Sequence, residues 1–197
     1  MDLTTTKVSH YNCHSDANGG VLACGRKLYG NIVAGKDSAF DEIDQFHVYG
    51  ELDANTGSSG LILPQYRYLK QIYHAFPNAT WVLNTRNATQ WLSSIDRWQN
   101  LRERFVNSDF RPDLPPKGRS KDPLRQTGEK DADMIRFYHA QAQRVRDFVK
   151  KHPSLHLVEV AIDEGNAGNV MEDAFGISSQ CWGNKNVNTG NALWTES

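Results

Sequence analysis

This sequence has few cysteines, almost no net charge and no long apolar run. The 197 residues include three cysteines, Cys13, Cys24 and Cys181, whose spacing matches no zinc-binding pattern. We therefore expect reduced thiols and a reducing, cytoplasmic compartment. The net charge of −1 provides no bulk attraction for nucleic acid, so any bound anion requires a local site. No run approaches the roughly 18 apolar residues of a membrane span, and the start MDLTTTKVSH lacks a signal-peptide core.

The remaining composition is that of a globular chain. Hydrophobic residues make up 39% and charged residues 23% of a chain long enough for a substantial core. We expect a single domain over residues 1–197. Residues 108–128 carry four prolines and mixed charge, which predicts a long exposed loop.

Apolar periodicity predicts alternating strands and helices. The sequence ATWVLNT, residues 79–85, is a continuous apolar run of the kind buried on both faces of a parallel sheet. The predicted strands lie near 46–52, 79–85 and 156–162, and the predicted helices span 21–34, 61–76, 88–106, 129–151 and 167–175. This order favours an α/β fold in which all three strands lie parallel in one sheet, flanked by helices as a three-layer structure.

A candidate anion site follows the second predicted strand. Arg86 stands where ATWVLNT ends, directly before a helix in which Asn87 and Gln90 are spaced as a capping box. Ligands of parallel sheets bind beyond the carboxyl ends of the strands, and a helix N-terminus offers N–H donors to an anion. Arg86 adds a guanidinium suited to phosphate, and Ser94, about two turns later, adds a hydroxyl near the same helix face. The alternative is that Arg86 and the serines are ordinary surface residues.

Two segments resemble the sulfotransferase family. FPNATWVLNTRNATQWLSS is similar to the family's 3′-phosphate-binding segment, in which an arginine ends a strand and a serine follows eight residues later. LVEVAIDEGNAGNVMEDAFGISSQCWGNKNVN resembles the tail of an algal and microbial sulfotransferase-like group. The resemblance covers about residues 46–98 and 147–188. It implies a P-loop NTPase-like fold and binding of the sulfate donor 3′-phosphoadenylyl sulfate, with Arg86 and Ser94 on the donor's 3′-phosphate.

The resemblance also implies roles for two further residues. Lys185, in the CWGNKN loop, would pair with the same phosphate, although a solvated loop lysine is an equal alternative. Asp53, at the end of FHVYGELD, is the candidate general base, and the alternative is an ordinary turn aspartate. His10, Cys13 and His14 could suggest a metal site but have no further spaced partners, so no metal is expected.

The chain departs from the family pattern before Arg86. Family members open with a strand and a glycine-rich, lysine-containing loop that cradles the 5′-phosphosulfate. The segment DANGGVLACGRK has glycines and a lysine but neither the preceding apolar strand nor the spacing. We therefore expect that this N-terminal strand and loop are missing, with Lys27 and Lys36 as the first residues to consider as replacements.

Three functions remain open at this stage. The first is a sulfotransferase that moves sulfate to a hydroxyl or amine of a carbohydrate or small metabolite. The second is a non-catalytic relative that only binds the nucleotide or another partner, and the third is a nucleotide kinase or hydrolase of the same broad fold. The Golgi lumen is the alternative compartment if an N-terminal anchor precedes this chain.

Overall fold

The structure is a computed structural model that describes residues 6–15, 21–55, 61–98, 101–106 and 131–183. The chain divides into two compact units. Unit 1 comprises residues 1–79, 107–112 and 152–155, and unit 2 comprises residues 80–106, 113–151 and 156–197. The expectation of a single domain concerns how these units combine, and it stays a prediction.

Unit 1 contains two small sheets and three helices among its described residues. Its elements are β1 (Val8–His10), β2 (Asn12–Ser15), β3 (Val21–Ala23), α1 (Cys24–Val33), β4 (Val48–Gly50), β5 (Ala54–Asn55), β6 (Leu61–Ile62), α2 (Pro64–Arg67) and α3 (Leu69–Ala75). One sheet has the order β3-β2-β1-β4, in which β1 and β4 are parallel, and the other pairs β5 with β6. The predicted helix 61–76 is therefore a short strand followed by two helices.

The core of unit 1 is apolar and aromatic. Phe40 contacts the rings of Tyr49 and Phe76 at centroid distances of 4.7 and 4.8 Å, and Leu28 and Ile43 are fully buried beside it. Offset and edge-to-face ring contacts of this kind add to the burial of apolar area. The buried Asn31 donates hydrogen bonds from Nδ2 to two backbone carbonyls of the loop that follows α1.

Cys13 and Cys24 form a disulfide within this core, with their Cα atoms 4.9 Å apart. Both residues are buried, whereas Cys181 is a free, exposed cysteine. The expectation of three reduced thiols was therefore wrong. The pairing depends on β2 and α1 packing side by side, which residue spacing alone does not show.

Unit 2 is built around two parallel strands. Its elements are β7 (Thr80–Thr85), α4 (Ala88–Arg97), α5 (Leu101–Val106), α6 (Asp131–Lys150), β8 (His156–Ala161) and α7 (Ala167–Phe175), followed by a 3₁₀ turn at Ser179–Cys181. Strands β7 and β8 pair in parallel without a register shift, from Thr80 opposite His156 to Thr85 opposite Ala161. This confirms the predicted parallel arrangement of the second and third strands.

Two details of the sheet prediction were wrong. Strand β4 pairs with β1 in unit 1, so the three predicted strands do not share one sheet. Strand β7 has only β8 as a neighbour among the described strands, and Val82 is 47% exposed, so burial on both faces does not hold along it. On the opposite face, Trp81 stacks on Phe148 of α6 with ring centroids 5.3 Å apart.

The helix boundaries follow local signals. The predicted helix 88–106 is interrupted, since α4 ends at Arg97 and α5 begins at Leu101. Helix α7 is stopped by the residue that follows it, Gly176, whose φ of 68° lies in the left-handed region that glycine adopts without a steric penalty. Within the described part of the chain, no helix combines the length and the apolar character that crossing a membrane requires.

Candidate functional site

Arg86 emerges at the carboxyl end of the parallel pair. The backbone N–H of Ile162 donates to the carbonyl of Thr85 at 2.8 Å, which closes the ladder one residue before Arg86. The first residue after a strand leaves the ladder and needs new partners for its backbone groups. The predicted position of Arg86, between β7 and α4, is confirmed.

Tyr138 supplies those partners from helix α6. Its hydroxyl accepts a hydrogen bond from the Arg86 N–H at 2.7 Å and donates to the Arg86 carbonyl at 3.0 Å. Both backbone groups of Arg86 are therefore satisfied by one side chain, which lies 52 residues further along the chain.

The guanidinium of Arg86 is only partly engaged. Its Nη2 donates to Gln90 Oε1 at 3.3 Å, a long contact with a neutral acceptor. Its Nε is buried and has no hydrogen-bond partner among the described residues. A buried donor without a partner costs free energy, and a bound anion would supply the missing acceptor.

The start of helix α4 is capped by protein groups. Asn87 Oδ1 accepts from the backbone N–H groups of Thr89 and Gln90 at 3.0 and 3.2 Å. In a capping box the Gln90 side chain would bind the N–H of Asn87, but Asp163 Oδ2 accepts that hydrogen bond at 2.7 Å. These three N–H donors are already used, so an anion at this end of α4 would depend more on side-chain donors than the sequence predicts.

Those side chains share one face of α4. Gln90 and Ser94 are four residues apart, so they lie one turn apart on the same side of the helix. Arg86 already reaches Gln90, and the half-buried Ser94 follows about 6 Å further along the axis. We call Arg86, Gln90 and Ser94 the anion face.

Ion pairs tie the elements of unit 2 together. Arg102 of α5 binds Asp96 of α4 at 2.9 Å and Asp131 of α6 at 2.8 Å. Arg146 of α6 makes two hydrogen bonds to Glu159 of β8 and holds the pKa of that carboxyl below its usual range. Helix α4, which carries Gln90 and Ser94, is thus linked by ion pairs to α5 and through it to α6, and α6 is linked in the same way to β8.

Asp53 lies in unit 1, between β4 and β5, and is half-buried. Its backbone packs directly on helix α1, because a Cβ placed on Gly25 would lie 2.8 Å from the Asp53 carbonyl carbon. Arg86 and Ser94 belong to unit 2. The role of Asp53 as a general base stays a prediction.

The two lysines considered as replacements for the phosphosulfate loop are engaged in ion pairs. Lys27 and Lys36 both bind Glu42, at 2.8 and 2.9 Å, and Lys36 also binds Asp41. Hydrogen bonds from Lys27 and Lys36 lower the pKa of Glu42 to about 2. Both lysines are therefore paired with carboxylates of unit 1.

Lys185 and the loop 108–128 lie outside the described residues. The preceding part of the CWGNKN loop is described, and there Trp182 is 41% exposed. Cys13 is unavailable as a metal ligand because it forms the disulfide, and the described residues contain no group of three or more metal-ligating side chains.

Comparison with known families identifies the family. A family model described as a sulfotransferase domain matches residues 58–166, more than half of the 197 residues. The chain belongs to the sulfotransferase family. The match includes β7, the anion face and β8, and it gives no support to the kinase or hydrolase alternative. No curated protein and no solved structure shows a significant match to the chain.

Sulfotransferase domains generally take sulfate from 3′-phosphoadenylyl sulfate. Sequence reasoning missed two residues that organise the anion face, Tyr138 and Asp163. Asp163 could have been found, because it follows the last predicted strand at the same sheet edge as Arg86. Tyr138 sits in the middle of a helix, and no local pattern singles it out.

Proposed function

We propose that this sulfotransferase-family protein binds 3′-phosphoadenylyl sulfate and its product, adenosine 3′,5′-bisphosphate, with the 3′-phosphate on the anion face. The proposal includes a three-layer, P-loop-like arrangement to which the β7–β8 pair would contribute. It is supported above all by Arg86, which lies at the carboxyl end of a parallel strand and whose buried Nε has no hydrogen-bond partner among the described residues.

The hydrogen bond between Arg86 and Gln90 is weak enough for a ligand to replace it. A phosphate oxygen would form a charge-assisted hydrogen bond with the guanidinium, which is stronger than the 3.3 Å contact with the neutral amide. The phosphate would therefore replace Gln90 as the acceptor, and the released amide can donate to the same anion. Ser94, one turn further on, would add its hydroxyl.

In the catalytic form of the proposal, sulfate passes to a hydroxyl or amine of a small molecule or carbohydrate. Asp53 would take the acceptor's proton, and Lys185 would add charge at the 3′-phosphate. The ion pairs of Lys27 and Lys36 favour the second candidate function, nucleotide binding without transfer, because those lysines already neutralise carboxylates.

The Cys13–Cys24 disulfide supports a proposal about the cellular compartment in which the protein acts. Disulfides between buried cysteines are typical of secretory compartments and rare in the cytosol. This favours the Golgi lumen over the cytoplasm as the place where the protein acts. Labelling of free thiols in protein taken directly from its source would contradict the proposal if Cys13 and Cys24 were found reduced.

Calorimetry with adenosine 3′,5′-bisphosphate tests the anion face. Loss of a charge-assisted hydrogen bond to phosphate costs about 1.5–3 kcal/mol, so Arg86→Ala should weaken binding at least roughly tenfold. Adenosine 5′-monophosphate, which lacks the 3′-phosphate, should bind both proteins equally.

Arg97→Ala is the matched control, because Arg97 is an exposed arginine of α4, the helix that carries Gln90 and Ser94. Among the described residues its side chain donates to the Ser93 carbonyl of that helix and to no other group. Affinity for the bisphosphate should be unchanged in this variant. Equal affinities of the wild type and Arg86→Ala would refute the proposed site.

A further inference from the structure

The backbone of Arg86 is fixed by hydrogen bonds, whereas its side chain is held weakly. Tyr138 satisfies both the N–H and the carbonyl of Arg86. Within the described part of the chain, the guanidinium makes one long contact, and its buried Nε has no hydrogen-bond partner. The Cα end of the side chain is thus fixed, while the guanidinium can exchange hydrogen-bond partners. A binding residue whose base is already ordered loses less conformational freedom when its ligand arrives.

The Tyr138 hydroxyl is itself placed by helix packing. Its ring lies against Trp91 of α4 with centroids 4.8 Å apart, and Trp91 contacts Phe105 of α5. Asp163 holds the next peptide group, at the N–H of Asn87. The segment 86–87 is therefore fixed from α6 on one side and from the end of β8 on the other.

We propose that Tyr138 is a positioning residue of the nucleotide site, which aims Arg86 at the 3′-phosphate without touching the ligand. The inference rests on the proposed function and adds a residue to it. Tyr138→Phe removes only the hydroxyl and keeps the ring against Trp91. Because two hydrogen bonds to Arg86 are lost, affinity for adenosine 3′,5′-bisphosphate should fall roughly three- to tenfold.

A double-mutant cycle tests whether Tyr138 acts through Arg86. Calorimetric affinities for adenosine 3′,5′-bisphosphate are compared among the wild type, Tyr138→Phe, Arg86→Ala and the double variant. If Tyr138 only positions Arg86, the Tyr138→Phe change should have an effect of less than about twofold once Arg86 is alanine. The binding stoichiometry should stay constant, which separates weaker binding from a loss of folded protein.

Tyr49→Phe is the control for stability alone. The Tyr49 hydroxyl also donates to a backbone carbonyl, that of Ile43 at 2.6 Å, but it belongs to unit 1. Its loss should lower the thermal midpoint and leave bisphosphate affinity unchanged. A fall in affinity equal to that of Tyr138→Phe would show that destabilisation explains both, and would overturn the inference.

The outcomes of the cycle are distinct. Unchanged affinity in Tyr138→Phe, or the same loss with and without Arg86, overturns the positioning role while the anion face stands. Unchanged affinity in Arg86→Ala removes the proposed function itself, and the role of Tyr138 falls with it.

Discussion

At the residue scale, Gly25 shows how closely two segments of unit 1 approach. A Cβ at this position would lie 2.3 Å from the carbonyl oxygen of Leu52, which is backbone and cannot swing away. Gly25 is buried in the first turn of α1, directly after the disulfide-bonded Cys24. Glycine is therefore required here by contact and not by its dihedral angles.

We predict opposite effects for two glycines of the same helix. Gly25→Ala should destabilise the protein by about 1–3 kcal/mol or more, because the added methyl group overlaps the Leu52 backbone. Gly30→Ala should stabilise it by about 0.5–1 kcal/mol, since nothing lies within 4 Å of the new Cβ and alanine favours the helix. Urea unfolding of both variants measures the difference, and a tolerated Gly25→Ala would contradict the packing described for α1.

At the element scale, β2 and helix α1 are joined covalently. The Cys13–Cys24 disulfide spans a sequence separation of 11 residues and lies in the core of unit 1. Strand β3 leads directly into α1, which has no side-chain N-cap, and the N–H of Cys24 donates to the Tyr11 carbonyl at 2.7 Å. The helix start is thus held by tertiary contacts where a local cap is lacking.

We predict that removing this disulfide lowers stability by about 3 kcal/mol, because a loop of this length gains that much entropy in the unfolded chain. Chemical unfolding of the Cys13→Ser/Cys24→Ser double variant measures the loss. Cys181→Ser is the matched control and should have no effect, since Cys181 is exposed and unpaired. Thiol titration of unfolded, unreduced protein should find one free cysteine, and three would show that the disulfide does not form.

At the scale of the whole molecule, the two units carry different parts of the proposed chemistry. Unit 2 holds the anion face, and unit 1 holds Asp53 together with Lys27 and Lys36. Arg86 and Ser94 would bind the adenosine end of the donor, which does not react. Contacts to a remote phosphate are similar in the ground and transition states, so they support binding more than rate.

We predict that this 197-residue chain transfers sulfate poorly or not at all. No apolar strand followed by a glycine-rich loop with lysine and serine or threonine precedes Arg86 in the sequence. Loss of a single oxyanion-type donor costs about 10²–10³ in rate, and the sequence before Arg86 shows no motif that would supply several such donors together. A labelled-sulfate assay against a panel of sugars, phenols and amines measures the transfer.

Robust turnover in that assay would contradict the prediction and show that another part of the chain supplies such donors. Lys27→Ala and Lys36→Ala would then test the first candidates, and Asp53→Asn would test the general base. If Asp53 takes the acceptor's proton, Asp53→Asn should reduce turnover and leave affinity for adenosine 3′,5′-bisphosphate unchanged.

The sequence by itself determined the local features of this protein. The strand that ends directly before Arg86, the Asn87 cap of α4 and the helix ended by Gly176 all followed from neighbouring residues, and the order of the elements along the chain indicated that β7 and β8 run parallel. Such features depend on capping, apolar periodicity and chain direction, which are properties of short segments.

Only the tertiary structure decided which distant groups meet. Strand β4 pairs with β1, Cys13 bonds to Cys24, and Tyr138 reaches Arg86 across 52 residues. Asp163 takes the N–H that the local capping box would have assigned to Gln90. The physical reason is that an unsatisfied backbone group or an apolar face accepts any partner of suitable geometry, and the packing of the whole chain selects that partner.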